Sequence, residues 1–327
     1  MIKPPRKLPC LAALIAVLLA PLLSAAQTSD YPSKPIKLVI GFTPGGSTDT
    51  IGRQLANSFN KILGQSVIVE NKPGANGNLA TDAVRRAAAD GYTIFYTSIG
   101  HVTNPLIYKE AKYDPVKDFT PIGQVLAGPN ILVVPGNSRF KTLNDLLEYG
   151  RANPGKINFA SSGVGSSLHL SGELFKKLAG IEMVHIPYKG AGNLLPHLMA
   201  GTVDLAFPNL PSGIALAEQG QLRALGITTS VRSKAAPSIP TIAEAGVPNY
   251  DMSTWYGLIG PADLPAPVLQ RLSDALVRTV NEPEFHARLA AQGMDPKPTS
   301  PQEFRQFIQD ESVRWSELLK DMEIKTN

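Results

Sequence analysis

The sequence predicts an α/β fold of two lobes, each a mostly parallel sheet flanked by helices, joined by two hinge crossings. Three observations carry this expectation. Strand-like runs alternate with helical patterns in two rounds of similar size. Each round holds one Gly/Ser-rich turn between a strand and a helix. Two extended stretches, residues 120–134 and 230–255, are placed to carry the chain between the rounds.

The first 26 residues stand apart. Lys3, Arg6 and Lys7 precede an apolar run over 8–23, and Ser24-Ala25-Ala26 puts small residues at a cleavage site before Gln27. That pattern predicts a cleaved signal peptide over 1–26 and a periplasmic product. The run is shorter than the roughly 20 apolar residues of a membrane span, and Pro21 interrupts it. The leader holds three of the 31 basic residues and none of the 27 acidic ones, so the mature chain carries 28 − 27 = +1. No clustered basic face accompanies that charge, which argues against a nucleic-acid partner. The single cysteine, Cys10, leaves with the leader, so the mature chain has no disulfide, thiol nucleophile or sulfur ligand.

The first round begins with a buried strand over 36–42. Ile51, Leu55, Phe59 and Leu63 then recur every four residues and mark one helix face, which Gly64 ends. A strand over 66–69, a helix over 78–88 and a strand over 93–97 complete a βαβαβ order. The second round reads as a helix over 143–152, a strand over 157–160 and a helix over 166–178 with its apolar face at Leu170, Leu174 and Leu178. Next come a strand over 183–186, a helix around 194–200, and strands over 203–207 and 222–228. "STWYGLIGP" returns as a strand. Three helices opening at or beside prolines, over 267–280, 283–292 and 301–320, are expected to pack back on the first lobe. The expected division is 27–123 plus 251–327 for lobe one and 124–250 for lobe two.

The chemistry concentrates in the two turns. "FTPGGSTDT" supplies Phe42, Pro44, Gly45, Gly46, Ser47, Thr48 and Asp49. "SSGVGSS" supplies Ser161, Ser162, Gly163, Gly165, Ser166 and Ser167. A helix N-terminus offers unpaired N–H groups and the positive end of a dipole, and glycine lets a ligand approach the backbone. Both turns lie beyond the carboxyl ends of strands, where open α/β sheets bind ligands. A facing pair suits a carboxylate or another oxyanion. Neither turn ends in Gly-Lys-Ser/Thr, and neither fits G-x-G-x-x-G, so nucleotide loops are excluded.

Other candidates join them. Asp49 reads either as a charge favoured by the helix dipole or as an orienting group. His169 reads either as a surface partner of Glu173 or as a ligand donor. Tyr188, Lys189 and Gly190 form a further strand-to-helix turn, and Asn209 follows a strand in a similar position. Ser98 and His101, past the third strand, are candidates too. Trp255 and Tyr256 fit either the core or the hinge. The sequence holds no G-x-S-x-G elbow and no H-E-x-x-H, and its five histidines lack metal-ligand spacing, so no metal, cofactor or catalytic residue is expected.

Together these stretches resemble the substrate-binding proteins of tripartite tricarboxylate transporters, the Bug family. The resemblance runs through "YPSKPIKLVIGFTPGGSTDTIGR", "VENKPGANGNLATDAVRRAAADGYTI", "FASSGVGSSLHLSGELF", "VHIPYKGAGNLLPHLMAGTVDLAF" and "IPTIAEAGVPNYDMSTWYGLIGPADLPAPV". It implies a periplasmic-binding-protein-like clamp whose two turns hold one ligand carboxylate through backbone N–H groups and bridging waters. It also implies a small organic carboxylate ligand and membrane permease partners, with the chain expected to be a monomer. Ala75-Asn76-Gly77 departs from the two adjacent glycines common in the family, and residues 193–195 from a proline-led helix start. A sensor module serving a receptor kinase would use the same fold, and a secreted hydrolase would need a nucleophile and base in addition.

Overall fold

A computed structural model describes Met1, residues 31–321 and Ile324; the expected signal peptide and Cys10 lie outside the described residues. The first half of the chain forms β1 (Ile36–Ile40), α1 (Ser47–Leu63), β2 (Val67–Asn71), α2 (Asn78–Arg85), β3 (Thr93–Ser98), α3 (Gly100–Ile107), β4 (Phe119–Pro129), β5 (Ile131–Pro135), α4 (Leu143–Ala152) and β6 (Ile157–Ser161). There follow α5 (Ser167–Ala179), β7 (Met183–Pro187), α6 (Ala191–Met199), β8 (Leu205–Ala206), α7 (Leu210–Glu218) and β9 (Leu222–Ile227). β10 (Ser253–Pro261), α8 (Ala266–Val280), α9 (Pro283–Ala291), β11 (Asp295–Pro296) and α10 (Pro301–Leu318) complete the order.

Two sheets result. The six-stranded sheet has the order β11-β4-β10-β3-β1-β2, and the five-stranded sheet β7-β6-β8-β5-β9. Among the named strands of the described residues, the parallel pairs are β1 with β2 and β3, and β6 with β7 and β8. β10 runs antiparallel to both β3 and β4, and β5 antiparallel to both β8 and β9. Each sheet is therefore mixed rather than mostly parallel. Parallel pairing needs a crossover, usually helical, but β5 follows β4 and β10 follows β9 with no helix between them.

The chain changes sheet at one residue. β4 stays in the six-stranded sheet to Pro129, beyond the boundary expected at 123/124, and β5 begins at Ile131. Asn130 between them is fully buried. Its N–H donates to Thr228 Oγ1 (2.8 Å), and the Thr228 N–H donates to the Asn130 carbonyl (3.1 Å). The outgoing and returning crossings are thus hydrogen-bonded to each other.

Local chemistry explains most elements. The four apolar residues read as the inner face of α1 are all buried, and Gly64 caps the helix in the left-handed conformation with its N–H on the Asn60 carbonyl. α10 opens with a capping box between Ser300 and Glu303. It packs on β4 and α3, as α8 packs on α1 and β4. Buried Glu311 of α10 accepts from both Trp255 Nε1 (3.0 Å) and Trp315 Nε1 (3.1 Å), fixing the helix to β10.

Three readings change. α3 and α7 were not expected; α3 contains Pro105 and has no side-chain cap. The strand expected over 203–207 shrinks to Leu205–Ala206. In α5, Leu178 is 36 % exposed, because the buried surface is not a single stripe. The first two turns of α5 are enclosed on all sides, and Gly172 allows β6 so close that a Cβ there would meet the Phe159 ring at 2.3 Å.

Candidate functional site

The first turn joins β1 to α1. Gly45 has φ +92°, and Gly46 is the N-cap of α1 with no side-chain cap bond, so the first N–H groups of the helix are not spent on a capping side chain. Asp49 is buried behind the turn. Its carboxylate accepts from the Gly45 N–H (3.3 Å), Arg53 Nε (3.0 Å) and Asn71 Nδ2 (2.9 Å), and Asn71 Nδ2 also reaches the Phe42 carbonyl (3.0 Å). Burial opposes its ionisation, but the bonds from Arg53, Asn71 and Gly45 outweigh burial and hold its pKa below the usual carboxylate value. Asp49 therefore braces the turn from behind.

The second turn joins β6 to α5. Gly163 and Gly165 have φ +133° and +80°. Here the N-cap is Ser166, whose Oγ accepts the His169 N–H (3.3 Å). Ser161 Oγ accepts the Gly163 N–H (3.1 Å), and His169 Nδ1 accepts the Gly165 N–H (3.0 Å). The two turns are not equivalent: the second spends several of its donors on its own support. His169 is not a surface residue. It is 3 % exposed, its ring centroid lies 4.0 Å from that of His185 at a 33° tilt, and it lies 3.7 Å from Glu173. His185 Nε2 in turn meets Ser161 Oγ at 2.6 Å.

The turns approach each other across the two sheets. Asn209, at the start of α7, accepts at Oδ1 from Ser47 Oγ (2.9 Å) and Tyr256 OH (2.8 Å), and its Nδ2 donates to Asn130 Oδ1 (2.7 Å). Thr48 Oγ1 donates to Tyr256 OH (3.1 Å). From α3, Thr103 Oγ1 donates to the Gly165 carbonyl (3.0 Å), and Tyr108 OH to the Val164 carbonyl (2.9 Å). On the other side, the α6 N-terminus abuts the first turn: a Cβ on Gly190 would lie 2.5 Å from Thr43 Oγ1.

Two adjoining cavities lie between the turns. The inner one, about 20 Å³, is bordered by Phe42, Thr43, Gly46, Thr48, Ser98, Ser162, Ser166, Ser167, Leu168, Ala191, Asn209 and Tyr256. The outer one, about 230 Å³, shares Phe42 and Ser162 and adds Asn76, Tyr108, Val164, Tyr188 and Lys189 among others. Lys189 is the one Lys, Arg, Asp or Glu among the described residues bordering either cavity. Neutral hydroxyls, amides and backbone dominate the rest. A groove of about 810 Å³ between α5, residues 249–252 and α10 is larger but mixes Lys177 and Arg314 with Asp251, Asp310 and Glu317, and touches neither turn.

Of the residues expected from sequence, Phe42, Gly46, Thr48, Ser98, Ser162, Gly163, Ser166, Ser167, Tyr188, Lys189 and Asn209 border these cavities. Pro44, Gly45, Ser47, Asp49, Ser161, Gly165, His169 and Gly190 stand beside or behind them. His101 is elsewhere: it is 1 % exposed, its Nε2 bonds the Pro115 carbonyl (2.8 Å), and it packs on Tyr113 and Phe119. Asn76, Tyr108 and Tyr256 are cavity residues that the pattern of turns did not single out. Tyr256 is buried as the core reading expects, at 4 % exposed, and its hydroxyl is hydrogen-bonded to Asn209.

The histidines give a pH prediction. Burial lowers His101 to about 4. Burial and the Lys176 charge lower His185 to about 4, and His169 is held well below its usual value by burial, His185 and Lys176. All three stay neutral in the folded chain while the unfolded chain protonates from about pH 6.5 downward. Stability is therefore full above pH 6.5 and falls as the pH drops from there towards 4. For His101 the full effect is roughly 3 kcal/mol. Thermal unfolding at pH 7.5 and 4.5 should show a clear loss at the lower pH, reduced in His101→Gln. Equal melting temperatures would contradict the assignment.

Two mixed sheets with a narrow cleft, closed by paired glycine turns, define a solute-binding protein. Residues 51–324 match the model of the tripartite tricarboxylate transporter family receptor, TctC, and the chain belongs to that family. The periplasmic binding protein BugD has a similar structure, with a TM-score of 0.87 and 31 % identity over 91 % of this chain and all of that one. A protein of R. palustris, Rpa4515, solved with adipate, gives 0.86 and 35 % over 89 % and 97 %. MatC from Rhodopseudomonas palustris, with bound malate, gives 0.84 and 29 % over 88 % and 100 %. The chain is a periplasmic solute-binding protein of the TctC/Bug family, a family of substrate-binding receptors.

Proposed function

We propose that this protein captures a small organic carboxylate between its two turns and delivers it to the permease subunits of a tripartite transporter. The carrying observation is the pair of helix N-termini, one from each sheet, brought together over a cleft of neutral donors. Backbone N–H groups and the α1 and α5 dipoles suit an anion, and the hydroxyls of Ser98, Ser162, Ser166 and Ser167 add donors. The adipate and malate held by similar proteins agree with that chemistry. On this reading the two sheets are the cores of two lobes, divided near Asn130 and within residues 228–252, which close around the ligand as a monomeric clamp. The chain reaches the periplasm by cleavage of residues 1–26.

A thermal-shift screen with adipate, malate and related carboxylates tests the proposal, since a ligand that binds only the folded state raises its melting temperature. Replacing the held carboxylate by a primary amide should cost about 1.5–3 kcal/mol, roughly tenfold to over a hundredfold in affinity. An amide that binds as well as its acid would remove the anion from the proposal.

A further inference from the structure

The loop before α2 has an unusual backbone. Gly74, Ala75, Asn76 and Gly77 have φ of +136°, +44°, +51° and +82°. Left-handed positions cost glycine little and asparagine somewhat more. At Asn76 the loop nevertheless carries a side chain where glycine would fit most easily. That residue is 5 % exposed and borders the outer cavity. It stands against the second turn: a Cβ on Gly163 would lie 3.5 Å from the Asn76 nitrogen, and one on Gly165 would lie 3.2 Å from Asn76 Nδ2.

The orientation of its amide follows from its neighbours. Asn104 Nδ2 donates to the Asn76 backbone carbonyl (3.2 Å). A carbonyl only accepts, so Asn104 must turn its amine to it. That leaves Asn104 Oδ1 for Asn76 Nδ2, at 2.9 Å. Asn76 Oδ1 is left on the opposite edge, buried and without a hydrogen-bond partner among the described residues. A buried amide oxygen without a donor is unfavourable, and a donor delivered to it is correspondingly selective. Thr43 Oγ1, which borders the inner cavity, is also buried and unpartnered, but a hydroxyl can donate or accept and so imposes no sign. Lys189, at the same outer cavity, supplies donors only. Of the unpartnered side-chain atoms of the described residues that border the two cavities, Asn76 Oδ1 is thus the one that can only accept.

We infer that Asn76 Oδ1 accepts a hydrogen bond from an O–H or N–H group carried by the ligand, making the site selective for hydroxy- or amino-carboxylates over their unsubstituted counterparts. The inference rests on the carboxylate reading above. Calorimetry on the full mature chain tests it with matched pairs: malate and aspartate against succinate, and lactate against propionate. The wild-type protein should bind the substituted member of at least one pair tenfold or more tighter. In Asn76→Gly, where glycine suits the left-handed backbone, that preference should shrink to about twofold or less. Equal affinities within every pair that binds would overturn the inference and leave the carboxylate reading standing. Failure of all the acids to bind would overturn both. A preference that persists in a folded Asn76→Gly variant would place the selecting group elsewhere and overturn the role of Asn76.

Discussion

Replacing Gly192 by alanine should lower carboxylate affinity about tenfold or more, roughly 1.4 kcal/mol, without unfolding either sheet. Gly192 is the second residue of α6, where alanine is preferred to glycine by about 1 kcal/mol. The helix itself therefore tolerates the change. Across the cleft, however, the new Cβ would lie 2.4 Å from the Pro44 carbonyl oxygen. Both sides of that clash are main chain or fixed to it, so no rotamer relieves it. The α6 N-terminus and the first turn must separate, and on the proposed reading a ligand that grips both turns must offset that separation. Calorimetry of Gly192→Ala with a carboxylate that binds the wild type measures the effect. Wild-type affinity in the folded variant would mean that this approach is irrelevant to binding.

Asn209→Ala should cost about 3 kcal/mol of unfolding free energy or more. The change removes the acceptor shared by Ser47 and Tyr256 and the donor to Asn130 Oδ1. Ser47, Tyr256, Asn130 and Asn209 are all 8 % exposed or less, so water does not readily replace the missing partner. Chemical denaturation of the ligand-free protein reads the loss directly. A change below 1 kcal/mol would show that these contacts do not hold the two sheets together.

Much of this architecture is legible in the sequence. The fourfold spacing of Ile51, Leu55, Phe59 and Leu63 reports a helix buried on one side, and such periodicity survives folding. The two turns were legible because glycines and hydroxyl residues clustered between a strand run and a helix run. The role of His169 was not. Spacing left it either a surface partner of Glu173 or a ligand donor; the surface reading fails because α5 begins where every side of the helix is covered. His101 was placed near the site by its distance from β3, whereas α3 turns it into the aromatic cluster with Tyr113 and Phe119. The helix α3 escaped notice because Pro105 and the lack of a cap hide it. Asn76 and Tyr108 come from separate segments and reach the second turn only through sheet-to-sheet packing, which no local pattern encodes. The mixed pairing of the sheets depends likewise on where β4 and β10 meet.

The bond from each indole to Glu311 bears on how the molecule is observed in solution. The chain has two tryptophans, and both donate to one oxygen of that carboxylate. They are 2 % and 1 % exposed, so their emission arises from a single dry, hydrogen-bonded locality at the meeting of β10 and α10. The five-stranded sheet contains no indole at all. Unfolding followed by intrinsic fluorescence therefore reports on the six-stranded side, and a transition confined to the other sheet passes unseen unless far-UV ellipticity is recorded beside it. Trp255 is also the immediate neighbour of Tyr256, which borders the inner cavity, so one of the two chromophores stands beside the proposed solute site.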